Sequence, residues 1–217
     1  MKNLICTLAL IGLLTACNNE SPTPVNEQKE VINENTSPDL ENVPLIEANL
    51  LQYRPEVGTK RTYMNGEDEI YIQEVIAADE EYLQLTISLS GAPTTHIYRW
   101  TNNEIALIYE NSSPSNPRDN LLEEFESTGV IETYIDVDDI QADWQLIGAD
   151  EKVTVPYDTF KNVLVLQKTT DEVEGEDTIY TRYFAEGHGM IKETFELTGE
   201  YGYKDEANLS TVDSLKE

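Results

Sequence analysis

The sequence predicts an all-β fold: a single domain built as a curved antiparallel sheet or two-layer, half-barrel-like meander, with one short helix near residues 119–126. Three observations lead there. Apolar and polar residues alternate over short runs, most clearly at Leu83, Leu85, Ile87 and Leu89 with Gln84, Thr86 and Ser88 between them. That period of two sets one side of a strand in a core and the other in water. Turn formers punctuate the runs at Asn65-Gly66, Ser90-Gly91-Ala92-Pro93, Thr101-Asn102-Asn103 and Glu174-Gly175-Glu176-Asp177. No helical crossover separates one run from the next, so neighbours are expected to pair as antiparallel hairpins.

Along the chain, strands are expected over 69–76, 83–89, 95–100, 105–109, 130–135, 152–155, 160–167, 178–184 and 190–197. Between the fourth and fifth, residues 111–117 carry Ser112, Ser113, Ser115, Pro114 and Pro117 and read as an exposed loop. Asp119 then stands where it could cap a short helix presenting Leu121, Leu122 and Phe125 at helical spacing, a plug for one end of the sheet. The folded domain is expected over 45–204. Residues 205–217 turn polar and acidic and are expected to fray as a tail.

Residues 18–44 mix Asn, Glu, Ser and Thr with Pro22, Pro24, Pro38 and Pro44 and hold no aromatic residue. Such a stretch cannot bury a core and is expected to be a disordered tether starting at Cys17. As a coil it would span on the order of 30 Å, and fully extended about 90 Å.

The first sixteen residues have the plan of a secretory signal. Lys2 supplies the positive end, Leu4 to Leu14 an apolar stretch, and Thr15 and Ala16 the small residues before Cys17. The apolar run is shorter than the roughly twenty residues a membrane-crossing helix needs. Leu14-Thr15-Ala16-Cys17 resembles the lipobox of bacterial lipoproteins. The resemblance implies cleavage after Ala16 and a diacylglyceryl group on the Cys17 sulfur, which would make the lipid bilayer a partner. Two acyl chains suffice for stable anchoring. The only other cysteine, Cys6, lies inside the leader, so disulfides and thiolate metal sites are not expected.

Two further blocks resemble a broad group of uncharacterised bacterial lipoproteins, many of them Gram-positive. One is Tyr53-Arg54-Pro55-Glu56-Val57-Gly58 with Tyr63 and Gly66. The other joins Tyr157-Asp158-Thr159-Phe160-Lys161-Asn162-Val163 to Tyr183-Phe184-Ala185-Glu186-Gly187-His188-Gly189-Met190-Ile191-Lys192. The resemblance implies a β-rich fold and an envelope location, on the outer face of the cell membrane, but no activity. His188 stands where the group usually carries an apolar residue, often valine. On the residues alone, Gly187, His188 and Gly189 read as a structural turn, because glycines on either side of one residue permit positive φ.

The chain holds 14 basic and 42 acidic residues, a net charge of −28, and loss of Lys2 with the leader would leave it one unit more negative. Such a surface repels phosphate backbones and anionic headgroups, so nucleic acid is excluded as a partner. It could attract divalent cations, and Asp136, Asp138 and Asp139 are the candidate ligands, although the glycine and terminal glutamate of an EF-hand loop are missing.

Of the two histidines, His96 falls in a strand-like run and His188 in the turn. No His-Glu-x-x-His, Gly-x-Ser-x-Gly or thiol nucleophile occurs in the sequence. No catalytic residue and no cofactor are therefore expected. The expectation is a non-enzymatic, tethered binding domain for an envelope ligand or partner; the alternative is a hydrolase of wall glycan or peptide using carboxylates. An apolar cleft would favour the first, and two carboxylates facing each other across a groove the second.

Overall fold

The structure, a computed structural model, describes residues 49–215 apart from 128, 139–142 and 174. Eleven strands form one antiparallel sheet. They are β1 (Thr59–Asn65), β2 (Asp68–Ala78), β3 (Tyr82–Leu89), β4 (Ala92–Trp100), β5 (Glu104–Asn111) and β6 (Glu132–Asp136), then β7 (Gln145–Thr154), β8 (Thr159–Val173), β9 (Glu176–Ala185), β10 (Gly189–Leu197) and β11 (Tyr203–Ser214). The order across the sheet is β6-β5-β4-β3-β2-β1-β11-β10-β9-β8-β7. The chain thus builds two meanders that join where the first strand pairs with the last.

The turns follow from local chemistry. Ser90 and Gly91, at φ 50° and 83°, take the paired left-handed conformation that matches the twist of a two-residue hairpin between β3 and β4. Asp79 Oδ1 accepts from the Glu81 and Tyr82 N–H groups at 2.8 and 2.7 Å, closing the β2–β3 turn. Thr101 Oγ1 does the same for Asn103 and Glu104 after β4.

Period-two alternation then splits the apolar residues between two clusters. β8 shows it directly: Leu164 and Leu166 pack with Leu83, Leu85, Tyr98 and Trp100, whereas Val163 and Val165 pack with Ile191, Ala207 and Leu209. A third cluster, Ile97, Ala106 and Ile108, is covered by Leu122 and Phe125.

Two expectations are corrected. The helix near 119–126 is a single 3₁₀ turn, Leu122–Glu124, and Asp119 does not cap it. Instead the segment runs along β3, where buried Gln84 donates to the Asp119 carbonyl and accepts from Leu121 N, and Thr86 donates to the Pro117 carbonyl. These side-chain bonds to the strand hold the loop extended, so no helix ladder forms. The polar tail expected at 205–217 is β11 through Ser214, paired to β1 on one side and β10 on the other, with Ala207, Asn208 and Leu209 buried.

The sheet curls until its two edges meet through side chains. Trp144, just before β7, sets its ring 5.6 Å from that of Tyr134 on β6, nearly perpendicular. Its Nε1 donates to Glu132 of β6 at 3.0 Å, and Lys168 of β8 donates to the same carboxylate oxygen at 2.9 Å. The result is a nearly closed, barrel-like sheet.

A strap crosses one opening. Residues Leu50–Tyr53 form a 3₁₀ turn in which Leu50 N donates to Asn102 O and Trp100 Nε1 donates to Leu50 O. Tyr53 then donates its hydroxyl hydrogen to the Asn162 carbonyl on β8. Arg54 donates to the carbonyls of Asp79, Glu80 and Trp100, which fastens the strap to the ends of β2 and β4.

Candidate functional site

The curled sheet forms a partly open cavity of about 220 Å³, somewhat below the roughly 300–1,000 Å³ typical of ligand pockets. Its walls come from both meanders. Leu85, Ile87, Trp100, Phe184 and Met190 make most of it apolar, and Pro55 of the strap lies at its rim.

Set into this wall are groups that local sequence would place in water. Arg182 projects from β9 in phase with Tyr180 and Phe184, so its guanidinium points where an aliphatic side chain is usual. Its Cζ lies 4.4 Å from the Tyr134 ring centre and 4.5 Å from that of Trp144, in the corner made by two nearly perpendicular rings. Glu193 of β10 approaches its Nε at 3.5 Å. Burial alone would lower the Arg182 pKa, but Tyr134, Glu193 and Tyr98 reverse this and raise it, so the group stays charged.

Arg61 of β1 is 2% exposed and donates to Gln73 Oε1 at 2.6 Å and to the Met190 carbonyl at 2.7 Å, both neutral acceptors. Tyr71 of β2 is 7% exposed and its ring stacks on Tyr63 at 4.5 Å. Burial, with the Glu193 charge, pushes its phenol well above the ordinary range. His96 of β4 contacts the Tyr98 hydroxyl at 3.3 Å and stands 4.0 Å from Glu110. Burial holds its pKa below the usual value against the opposing pull of Glu110, and Arg182 pushes the same way as burial. At neutral pH the charged side chains of the wall are two guanidiniums and one carboxylate.

Of the sequence-predicted site residues, Gly189 alone reaches the cavity wall, and the other described ones fall elsewhere. Gly187, His188 and Gly189 make the β9–β10 turn, with φ +69° and +64° at the glycines, and His188 N bonds to Ala185 O. The His188 ring packs edge-on to Phe160 at 4.9 Å. Asp136 and Asp138 shape a turn: Asp136 Oδ1 accepts from Asp138 N at 2.9 Å, and Asp138 accepts from Asn103 Nδ2 at 3.2 Å. Asp139 lies outside the described residues, as do Ala16 and Cys17. Among the described residues no group of three His, Cys, Asp or Glu side chains converges on a point that could hold a metal.

Sequence reasoning missed Arg61, Tyr71, Gln73, Arg182 and Glu193. A signal was present for two of them: in β9 and β2, Arg182 and Gln73 occupy the same parity as the buried Phe184 and Val75. An inward-facing charge in an otherwise apolar row marks a site more sharply than a local cluster of acids does.

No protein-family model matches the chain, and no curated protein matches it. Among solved structures, it is similar to a candidate lipoprotein of Parabacteroides distasonis, with TM-score 0.41 and 14% identity over 74% of this chain and 98% of that one. It is also similar to a candidate exported protein of Bacteroides fragilis with a YmcC-like fold, with TM-score 0.41 and 9% identity over 74% of this chain and 97% of that one.

Proposed function

We propose that this protein is an exported lipoprotein, anchored through acylated Cys17 to the outer face of the cell membrane, whose β domain binds a small envelope ligand without transforming it. The cavity inside the sheet is the observation that carries the binding reading. It is apolar over most of its wall, is built jointly by strands far apart in sequence, and offers a few convergent polar groups, the arrangement that orients a small molecule. The lipobox-like Leu14-Thr15-Ala16-Cys17 and the proline-rich stretch after it support the anchored, exported location.

Binding is favoured over hydrolysis because Glu193, the carboxylate in the cavity wall, is held by Arg182. Two-carboxylate hydrolysis requires an acid and a second carboxylate about 5–9.5 Å apart across the substrate. The test is native purification from the membrane fraction followed by mass spectrometry of small molecules released on denaturation. Wild type should carry a defined small molecule and a folded Ile87→Trp variant, whose cavity is filled, should not. Equal recovery from both, or none from wild type, overturns the reading.

A further inference from the structure

The chain as a whole carries 28 excess negative charges, yet the cavity wall carries the opposite balance. Arg61 and Arg182 face a single carboxylate, Glu193. Arg61 spends its bonds on a neutral amide and a backbone carbonyl, so its charge is not cancelled within the wall by a partner of its own. A protein that needed only a stable core would put leucine or methionine at these inward positions, since a buried ion pair is seldom more stable than an apolar replacement.

Two wall groups also lack what such groups almost always have. The Tyr71 hydroxyl and Arg182 Nη1 are buried and make no hydrogen bond of good geometry, although the Tyr71 phenol interacts with the nearby Glu193 carboxylate, and both residues line the cavity. Unsatisfied buried donors are few in folded proteins and call for an acceptor. Arg182 also acts electrostatically on the Tyr71 phenol. Arg182 is also fixed before any ligand arrives: the Tyr134 and Trp144 rings hold its guanidinium from two sides, and 22% of its side chain remains exposed. A positioned cation costs less ordering on binding than a mobile one.

Resting on the binding reading above, we infer that the ligand is a compact apolar molecule ending in one carboxylate, with Arg182 and Tyr71 as its head-group contacts. The carboxylate supplies acceptor oxygens to two donors that make no hydrogen bond of good geometry in the wall, and its charge offsets the surplus guanidinium. The apolar body lies against Leu85, Ile87, Trp100 and Phe184. The volume of about 220 Å³ suits a body of metabolite size.

The chain's own tryptophans read the event, because Trp100 lines the cavity and Trp144 packs on Arg182. Octanoate and octanamide, equal in size and differing in head-group charge, would be titrated at pH 7.5 into the full-length Cys17→Ser chain, which needs no detergent. Octanoate should change the tryptophan emission saturably and bind at least about tenfold more tightly than octanamide, as a charge-assisted bond would allow. Tyr71→Phe, which removes one hydroxyl and leaves the Arg182 clamp untouched, should weaken octanoate several-fold and octanamide less, narrowing the preference. Arg182→Gln, if folded, should abolish the preference. Equal binding of both compounds, or a preference that survives Tyr71→Phe and Arg182→Gln, overturns the carboxylate assignment while leaving the binding reading in place. A saturable response to neither overturns both.

Discussion

Gly189 lies against Pro55: a Cβ on Gly189 would stand 3.0 Å from Pro55 Cδ, and the residue holds φ +64°. Two residues earlier in the same turn, Gly187 N donates to the Gln52 carbonyl at 2.7 Å. These contacts seat the strap of residues 50–55 on the β9–β10 turn. They also join the two sequence blocks at residues 53–66 and 157–192, so the blocks meet in space as one structural unit.

Gly189→Ala should therefore cost more stability than Gly187→Ala. Both pay for positive φ, about 1–2 kcal/mol for a residue with a Cβ, but only Gly189 also meets a neighbour, whereas a Cβ on Gly187 has nothing within 4 Å. Urea denaturation should show Gly189→Ala further destabilised by about 1 kcal/mol or more. Equal losses would mean that the strap yields freely at Pro55.

The seam between β6 and β8 should be acid-sensitive through Glu132. Burial pulls its pKa up, but the hydrogen bonds from Lys168 and Trp144, with the Arg182 charge, outweigh burial and hold it below the ordinary carboxylate value. A carboxyl depressed in the folded state contributes stability above its unfolded value near 4.5, and that contribution is lost as pH falls through the lower folded value. Glu132→Gln should be less stable than wild type at pH 7 by about 1 kcal/mol, and the gap should close below pH 4.5. A gap independent of pH would show that geometry rather than charge holds the seam.

Cys17→Ser should abolish acylation and membrane retention while leaving the β domain folded, because the described core begins at Leu50. Fractionation and circular dichroism of the variant test both parts. A variant still processed and still in the detergent phase would remove the lipid anchor.

Added sodium chloride should raise the thermal midpoint by a few degrees, because like charges on the compact chain repel and salt screens them. Calcium at matched ionic strength should do no more, since Asp136 and Asp138 already spend oxygens on Asp138 N and Asn103. A calcium response that exceeds sodium and vanishes on changing Asp136, Asp138 and Asp139 to asparagine would establish a metal site there.

Much of the sheet is legible from alternation alone, because a strand with one apolar row writes its period directly into the sequence. Eight of the strands fall where that period and the turn residues place them, and β7 runs over Gln145–Thr154, of which only the last three residues were expected. β1 and β11 are not so placed. β1 buries Arg61 beside Tyr63, so its inward row is not apolar, and β11 offers only Ala207, Leu209 and the partly buried Val212 among acids and hydroxyls. Both owe their place to pairing with each other, a backbone bond that no side-chain pattern records.

The one-dimensional order of residues determined the fold class and the hairpin turns, since these depend on neighbours within a few positions. The cavity was decided only in three dimensions. Its charged wall takes Arg61 from β1, Arg182 from β9 and Glu193 from β10, and its clamp takes Tyr134 and Trp144 from opposite edges of the sheet. Only curling of the sheet brings those edges together, and a charge that looks solvent-facing in sequence becomes an interior one when the surface around it closes.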